Sequence, residues 1–409
     1  MRNKSLGIYI SIPFCRSKCT YCNFASGVYP AKEHGRYVDR LLKDMTDSVG
    51  WATRAGVELP RTVDTVYLGG GTPTLLEPEL IERLFRTLRA EFKVETDAEI
   101  TVECAPGQLA GGVLEALVDA GVNRVSLGVQ SFVDREAHES GRLHSRATVI
   151  EDLRRLRTAG IENLNIDLIA GLAGQTFASW EESLAVLVDS GVPHASIYML
   201  EVDEDSRLGR EMLAGGLRYH AGLVPSDDAI ARMYETAIER LAEAGLEQYE
   251  ISNFGRWGFA SRHNLRYWER RPYLGLGLDA SSMLREAFDG AEPPADYVLR
   301  AKTTDELKAF LEESEPAETA WLSRERQHEE AWFLGLRLNA GVEVKAMEQE
   351  FGPKMVGPAL QVVARLADDG LLTADGGFVR LTGQGRLLSN EVFQEFLGVV
   401  ADEVTSRAR

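Results

Sequence analysis

The sequence predicts an α/β protein that consists of an incomplete (β/α) barrel followed by a smaller, mainly helical domain. Short β-branched or alternating runs recur over residues 7–253, and each is followed by a stretch with helical periodicity. The distinctive polar residues come directly after these runs, and the composition changes after about residue 290. With 409 residues, 44% of them hydrophobic, the chain can form a large core and a second domain.

Seven runs are predicted as strands because β-branched and aromatic residues dominate them. They are GIYISI at 7–12, DTVYLG at 64–69, EITVEC at 99–104, RVSLGV at 124–129, LNIDLI at 164–169, ASIYML at 195–200 and QYEISN at 248–253. Helical periodicity is clearest over 78–92, 147–160 and 178–191, and the last two ranges end at a glycine that can cap a helix. This alternation predicts parallel strands joined by helical crossovers.

Periodicity alone does not separate a barrel from a doubly wound sheet, but the positions of the polar residues favour the barrel. They follow successive strands, namely Cys15, Cys19 and Cys22, then 69–72, Glu103, Gln130, Asp167 and Glu201. Barrel active sites are assembled in this way from the carboxyl ends of strands, although open sheets share part of the habit. We therefore expect a partial (β/α)6 TIM-like barrel.

The chain after residue 290 is predicted to begin with a linker, because Pro, Thr and acidic residues are frequent in 292–296, 303–307 and 312–319. We predict a barrel domain over 1–290, a linker over 291–316 and a C-terminal domain over 317–409. The last domain is helical, with one hairpin signal at 371–382 where Asp375, Gly376 and Gly377 form the turn. Helices followed by such a hairpin resemble a winged-helix module.

Composition argues against several classes of protein. A net charge of -18 would repel nucleic acid, so no nucleic-acid partner is predicted. No stretch approaches the roughly 20 apolar residues of a membrane span, and no small-residue cleavage site precedes the cysteines. Three of the four cysteines fall within eight residues, which fits metal ligation in a reducing compartment better than a disulfide framework. A cytoplasmic protein is the resulting prediction.

The CxxxCxxC motif of Cys15, Cys19 and Cys22 has three thiols where four might be expected, since Phe24 stands in place of another sulfur. Three thiolates can bind three irons of a cubane cluster and leave the fourth iron without a protein ligand. An open iron is what a cluster needs to bind a small molecule directly. The alternatives are a redox thiol pair or a zinc site, but zinc would need a fourth Cys or His, and none follows until His34.

A glycine-rich turn, GGGTPT at 69–74, follows the second predicted strand. Residues without side chains let a ligand approach the backbone closely. By itself the turn is a weak signal, because glycine-rich turns after strands serve many purposes. Combined with the cysteine motif upstream, it is a much stronger one.

With these two motifs, Tyr9 and NIDLIAGLAGQT at 165–176, the chain resembles the radical S-adenosylmethionine (SAM) superfamily. The resemblance implies a [4Fe-4S] cluster on the three cysteines, SAM on its open iron and a low-potential electron donor such as flavodoxin or ferredoxin. The cofactor then carries the radical chemistry, and the protein positions and shields it. The implied SAM contacts are Tyr9, Gly70, Gly71, Thr72, Glu103, Gln130, Arg142, Asp167, Glu201 and Ser281.

More narrowly, the chain resembles the branch that contains oxygen-independent coproporphyrinogen III oxidase and the HemW heme chaperones. The oxidase motif reads CxxxCxxCxC, and Phe24 replaces its last sulfur, which argues against oxidase activity, as does the short N-terminal arm. RHNLRYW at 262–268 matches the HNxxYW signature of the HemW group. The resemblance implies a radical SAM barrel, a HemN-type C-terminal domain and heme transfer to acceptors such as respiratory cytochromes, with peripheral membrane contact through the acceptor.

His263 is the implied ligand of the heme iron, since imidazole is a good axial ligand. Tyr267 and Trp268 are expected to flank the macrocycle near the barrel mouth. The alternatives are a radical SAM methyltransferase or cyclopropanase that uses a second SAM, and the coproporphyrinogen III oxidase (dehydrogenase) itself. Heme binding separates a chaperone from a methylase, whereas formation of S-adenosylhomocysteine points to the methylase.

Overall fold

The computed structural model describes residues 5–109, 111–285, 296–312, 316 and 318–399. The strands in these ranges are β1 (Leu6–Ile12), β2 (Thr62–Gly70), β3 (Lys93–Cys104), β4 (Arg124–Gln130), β5 (Asn163–Ala170), β6 (His194–Met199), β7 (Glu247–Gln248), β8 (Asn253–Gly255), β9 (Tyr273–Leu276), β10 (Ser281–Leu284), β11 (Val298–Lys302), β12 (Glu318–Leu322), β13 (Val342–Glu343), β14 (Leu372–Asp375) and β15 (Phe378–Leu381).

The helices in the same ranges are α1 (Lys32–Arg54), α2 (Pro78–Glu91), α3 (Val113–Asp119), α4 (Asp134–Glu139), α5 (Arg146–Thr158), α6 (Phe177–Asp189), α7 (Arg207–Leu213), α8 (Asp227–Glu243), α9 (Arg262–Trp268), α10 (Leu307–Glu312), α11 (Arg324–Gly335), α12 (Val344–Phe351), α13 (Pro353–Asp368), α14 (Gly383–Leu387) and α15 (Ser389–Gln394). Two 3₁₀ helices span Pro73–Leu75 and Arg218–Leu223. No helix in the described ranges combines the length and the apolar character needed to cross a bilayer.

Twelve strands form one open sheet in the order β12-β11-β10-β9-β1-β2-β3-β4-β5-β6-β8-β7. Strands β1 to β6 lie in sequence order and run parallel, and β9 pairs parallel with β1. The strands at both edges run antiparallel to their neighbours. Six successive parallel strands with helical crossovers confirm the predicted α/β class and the partial barrel.

The two faces of the parallel strands differ in chemistry because successive side chains point to opposite sides. Ile8 and Ile10 of β1 and Val66 and Leu68 of β2 belong to the main apolar core. The alternate positions are largely polar, and they include Tyr9, Thr65, Tyr67, Thr101, Glu103, Ser126, Asn165, Asp167 and Ser196. The barrel therefore has an apolar outer layer under its helices and a polar interior.

The segment 248–253 was predicted as one strand, and this prediction is wrong. Strand β7 ends at Gln248, the chain turns, and β8 begins at Asn253. The carboxylate of Glu250 accepts hydrogen bonds from the backbone N–H of Ser252, at 3.0 Å, and from the side chain of Asn253. This local bonding bends the chain where alternation alone suggested continuity.

The segment 291–316, predicted as a linker, contains β11 and α10 in its described part, while 291–295 and 313–315 lie outside the described residues. Strand β11 pairs with β10 and β12 and extends the main sheet. Leu299 and Phe310 are fully buried in the main core. The prediction missed this short strand because acidic residues and prolines flank it in the sequence.

The C-terminal part has its own core, in which Trp332 and Phe396 stack with ring centroids 5.2 Å apart. Strands β13, β15 and β14 form a three-stranded antiparallel sheet beside the helices. The predicted hairpin is confirmed as β14 and β15, and Gly376 and Gly377 form its turn with φ of 60° and 84°. The predicted domain boundaries stay a prediction.

Candidate functional site

A cavity of about 590 Å³ opens at the carboxyl ends of the parallel strands. Its walls include most of the residues predicted from the strand ends, namely Cys15, Cys19, Cys22, Gly70, Gly71, Thr72, Glu103, Gln130, Arg142, Asp167 and Glu201. The C-terminal part adds Arg337, Ser389 and Asn390. The fold therefore brings side chains from six βα units and the C-terminal helices around one space, as barrel sites are usually built.

The loop that carries the cysteines is closed by its own hydrogen bonds. The backbone N–H of Cys15 donates to the carbonyl of Gly27 at 2.9 Å. The Lys18 ammonium donates to the carbonyls of Phe24, at 2.6 Å, and Ser26, at 3.0 Å. These hydrogen bonds satisfy backbone carbonyls and fix the loop, and its three cysteines line the cavity.

The thiols have polar neighbours that suit an anionic sulfur. The Arg142 guanidinium donates to Cys19 Sγ at 3.5 Å, and Thr72 Oγ1 lies 4.0 Å from Cys15 Sγ. Burial raises the pKa of the Cys15 thiol, and hydrogen bonds from Ser26 and Thr72 oppose that rise. Within the described residues, no three His, Cys, Asp or Glu side chains converge on one ion position. Three separate thiols on one wall fit a cluster, in which each sulfur binds a different iron.

The glycine turn lies against the start of this loop. Gly70 has φ of 102°, a conformation that strongly favours glycine. A Cβ on Gly71 would lie only 2.7 Å from the carbonyl oxygen of Phe14 and 2.9 Å from that of Ile12. The N–H of Gly71 donates to the carbonyl of Ile12 at 2.8 Å, and the N–H of Thr72 donates to that of Phe14 at 2.7 Å. The absence of side chains therefore lets β2 pack directly onto the cysteine loop and leaves backbone facing the cavity.

Two carboxylates on the polar inner face reach the cavity. Glu103 accepts hydrogen bonds from Tyr67 Oη at 2.8 Å and from the Gly70 N–H at 3.2 Å. Burial, with the nearby charge of Asp167 as a smaller cause, raises the pKa of Glu103 to about 7. Asp167 accepts from Asn165 Nδ2 at 2.7 Å, and burial raises its pKa as well. Both groups can accept hydrogen bonds from a cationic or hydroxyl-bearing ligand.

The pKa of Glu103 predicts a specific dependence of stability on pH. Between pH 4.5, its ordinary pKa, and pH 7 the folded protein keeps a proton that the unfolded chain has lost. The free energy of unfolding therefore falls as pH rises through this window. In Glu103→Gln this loss is removed, so denaturant unfolding from about pH 5 to about pH 8 should show a smaller decline than in wild type. Glu151 is exposed, so Glu151→Gln should keep the wild-type decline. A decline in Glu103→Gln as large as that of wild type would refute the raised pKa of Glu103.

Gln130 and Arg142 both lie beside Gly128 near the end of β4, where an added Cβ would be 2.9 Å from Arg142 Nη2 and 3.3 Å from Gln130 Nε2. Gln130 has φ of 71°, which is strained for a residue other than glycine, and its buried Oε1 has no hydrogen-bond partner among the described residues. Arg142 also donates to the carbonyl of Gly128. Strained residues with free polar atoms concentrate at ligand sites, so this arrangement favours a hydrogen bond from a bound molecule to Gln130.

His144, which the sequence did not single out, is the one histidine among the seven in the chain that lines the cavity. Burial, with Arg142 as the next cause, lowers its pKa to about 4, so the imidazole is neutral near pH 7. Its Nε2 is buried and has no hydrogen-bond partner among the described residues. Its position two residues after Arg142 is the only signal in the sequence that could have identified it.

Comparison with known proteins places the chain in a family. Residues 9–187 match the profile of the radical SAM superfamily, and 322–388 match the HemN C-terminal domain. The chain is 34% identical to a protein of Lactococcus lactis named heme chaperone HemW, over 97% of this chain and 98% of that protein. The chain belongs to the HemW family of the radical SAM superfamily.

Other relatives agree with this membership, and one solved structure has the same fold. The HemW protein of Bacillus subtilis is 33% identical over 95% of this chain and 98% of its own length. The Escherichia coli HemW is 31% identical over 75% of this chain and 76% of its own length. The fold matches that of coproporphyrinogen III oxidase (HemN) from Escherichia coli with a TM-score of 0.79, at 24% identity, over 97% of this chain and 91% of that one. Membership of the superfamily implies a [4Fe-4S] cluster and SAM.

Five predicted site residues do not line the cavity of this HemW-family chain, namely Tyr9, His263, Tyr267, Trp268 and Ser281. Tyr9 lies below it and stacks on Tyr67, with ring centroids 6.1 Å apart. Ser281 begins β10 beside β9 and is exposed. Of the ten predicted SAM contacts, eight therefore line the cavity, and two, Tyr9 and Ser281, lie outside it.

The HNxxYW segment forms helix α9 at the opposite, amino-terminal end of the barrel strands. His263 is 1% exposed, and both of its ring nitrogens are engaged, Nδ1 with Thr65 Oγ1 and Nε2 with Tyr267 Oη, each at 2.9 Å. Its backbone N–H donates to Glu99 Oε1 at 3.0 Å, and burial lowers its pKa to about 3. The structure thus places His263 away from the barrel mouth, with both ring nitrogens hydrogen-bonded to described residues, and its role as a heme ligand stays a prediction.

The rest of the HNxxYW segment has structural contacts too. Tyr267 packs edge-on against Tyr273, with ring centroids 4.7 Å apart. The Arg337 guanidinium lies over the Trp268 ring at 4.2 Å from its centroid. Trp268 therefore links the amino-terminal end of the barrel strands, here called the barrel floor, to Arg337, which lines the cavity. The spacing of the motif could not show this contact.

Proposed function

We propose that this chain binds heme and transfers it to acceptor proteins such as respiratory cytochromes, without coproporphyrinogen III oxidase activity. The observation that carries the proposal is the match, over nearly the full length of both chains, to proteins named heme chaperone HemW. Phe24, 64% exposed at the cavity where the oxidase motif has a cysteine, supports the absence of oxidase activity. The cytoplasmic location and an electron donor such as flavodoxin or ferredoxin belong to the same proposal.

We further propose that Cys15, Cys19 and Cys22 hold the [4Fe-4S] cluster and that SAM binds along Gly70, Gly71, Thr72, Glu103, Gln130, Arg142, Asp167 and Glu201. When bound, the cluster supplies the electron that can cleave SAM reductively. The chain itself contributes an open backbone at the glycine turn and carboxylates that accept hydrogen bonds from the ligand. The Arg142 cation beside Cys19 stabilises thiolate charge, which ligation requires.

For the heme iron, we propose His144 as the protein ligand in place of His263. His144 lies in the wall of the cavity, and its imidazole is neutral, with a buried Nε2 that makes no hydrogen bond to a described residue. A neutral imidazole nitrogen without a partner is the state that binds iron. In His263 both nitrogens already have hydrogen-bond partners within 2.9 Å. The two histidines therefore form a natural pair of variants for testing where heme binds.

A heme titration followed by absorbance tests the proposed heme binding and the proposed His144 ligand. Wild type should bind one heme per chain with a saturable Soret band, and His144→Ala should shift that band and weaken binding by about tenfold or more, because an axial ligand is lost. His263→Ala should leave the position of the Soret band unchanged and lower the melting temperature, because it removes hydrogen bonds from the barrel floor.

Three outcomes would contradict this proposal. The absence of saturable heme binding by wild type would reject the carrier function, and formation of S-adenosylhomocysteine would then support a methylase. Protoporphyrinogen IX accumulating from coproporphyrinogen III under anaerobic conditions, with SAM and reductant, would reject the absence of oxidase activity. A Soret band that shifts in His263→Ala but not in His144→Ala would reject His144 as the ligand.

A further inference from the structure

The wall that the C-terminal part contributes to the cavity contains one cation. Residues Arg337, Ser389 and Asn390 form this wall, and the other cations lining the cavity, Arg16, Lys18 and Arg142, come from the barrel. Lys18 is bound to backbone carbonyls and Arg142 to Gly128 and Cys19. Arg337 thus places a positive charge at a part of the cavity formed after residue 322, away in sequence from the cysteine motif.

Arg337 is held in place without its hydrogen-bonding capacity being used. Its guanidinium lies over the Trp268 ring at 4.2 Å, and its Nη2 is 3.7 Å from Glu250 Oε2, which is beyond hydrogen-bond distance. The guanidinium donates no hydrogen bond within the described part of the chain, and its Nε is buried without a partner there. Glu250 Oε2 is likewise buried and has no hydrogen bond to a described residue.

An arginine in this state is suited to bind a carboxylate. A guanidinium has five N–H donors in a planar fork that matches the two oxygens of a carboxylate, and stacking on an aromatic ring leaves the edge of the fork free. Buried donors without partners are rare in folded proteins, and a ligand is one explanation for them. Glu250, whose pKa burial raises, stabilises the cation only in part and at a distance.

We propose that Arg337 is the residue that recognises a carboxylate of the ligand in this cavity, and that Trp268 positions it. The inference rests on the proposed function, in which the ligand is heme, and it assigns the propionate groups of heme to Arg337. It also gives the last residue of the HNxxYW segment a role in binding that does not require this segment to touch the macrocycle. Ser389 and Asn390 on the same wall offer neutral hydrogen-bonding groups beside the cation.

The test compares heme with its dimethyl ester, in which both propionates are neutral. Wild type should bind heme about tenfold or more tightly than the ester, as expected for one charge-assisted hydrogen-bonded pair. Arg337→Gln should lose that preference by weakening heme binding to the level of the ester, while its affinity for the ester stays unchanged. Trp268→Leu should reduce the preference, and Arg337→Lys should restore it only in part, since an ammonium lacks the planar fork.

Arg380→Gln is a matched control, because Arg380 also lies over an aromatic ring, Phe378, at 4.8 Å, but does not line the cavity. It should bind both ligands as wild type does, and melting curves should show that every variant is folded. Equal weakening of heme and ester in Arg337→Gln, or no preference for heme in wild type, would overturn the role of Arg337 and leave heme binding intact. No binding of either ligand by wild type would reject the proposed function and this inference together.

Discussion

Replacing Cys15, Cys19 or Cys22 by Ala is expected to abolish the [4Fe-4S] cluster after anaerobic reconstitution. In the proposed site each thiolate would bind a different iron, so the loss of one thiol would leave the cluster without a protein ligand that it needs. Iron and sulfide analysis, together with the broad visible absorbance of the cluster, should therefore fall to background in all three variants. Wild type should contain one cluster per chain.

Cys104→Ala is the matched control for this experiment, because Cys104 also lines the cavity. Its Sγ donates to the Ala105 carbonyl at 3.3 Å and accepts from Thr74 Oγ1 at 3.7 Å, and burial raises its pKa to about 12. It should remain a thiol near neutral pH and make no contribution to cluster binding. Full iron occupancy in the three motif variants, or loss of the cluster in Cys104→Ala, would contradict the assignment.

The barrel and its cavity could be predicted from the sequence because both depend on local signals. Each of β1 to β6 overlaps a predicted strand, since β-branched residues and short length specify strands in a parallel sheet. Parallel strands carry their carboxyl ends to one side, so the residues that follow them had to meet. The cavity accordingly brings together the cysteines, the glycine turn, Glu103, Gln130 and Asp167.

The position of the HNxxYW segment could not be predicted because it depends on long-range contacts. A seven-residue helix with His263, Tyr267 and Trp268 can cover either end of a barrel, and its sequence does not specify which. The deciding contact is Arg266, which is 0% exposed and reaches Asp64 at the start of β2. The same limit applies to Arg337, since its approach to Trp268 joins positions 69 residues apart.

The barrel floor depends on a buried ionic network centred on Asp64. The Asp64 carboxylate is 3% exposed and accepts from the guanidinium groups of Arg266 and Arg271 and from Ser5 Oγ, the last at 2.7 Å. Arg266 also donates to the carbonyls of Ser5, at 3.0 Å, and Pro272, at 2.8 Å. Burial, with the neighbouring Arg271 cation as a smaller cause, lowers the pKa of Arg266 to about 10 against the opposing attraction of Asp64.

Asp64→Ala is therefore expected to lower the free energy of unfolding by about 3–5 kcal/mol, because it leaves the buried Arg266 cation without its counter-ion. Denaturant unfolding of the ligand-free protein measures this loss.

Asp39→Ala is the control, since Asp39 pairs with Arg83 at 2.6 Å on the surface, where both side chains are at least 41% exposed. Its removal should change the free energy of unfolding by about 1 kcal/mol or less. Equal effects of the two substitutions would show that the floor is not held by this network. A double replacement, Asp64→Leu with Arg266→Met, should recover part of the stability lost in Asp64→Ala, because the fully buried Arg266 cation is then absent, while the partly exposed Arg271 keeps Glu269 at 3.8 Å.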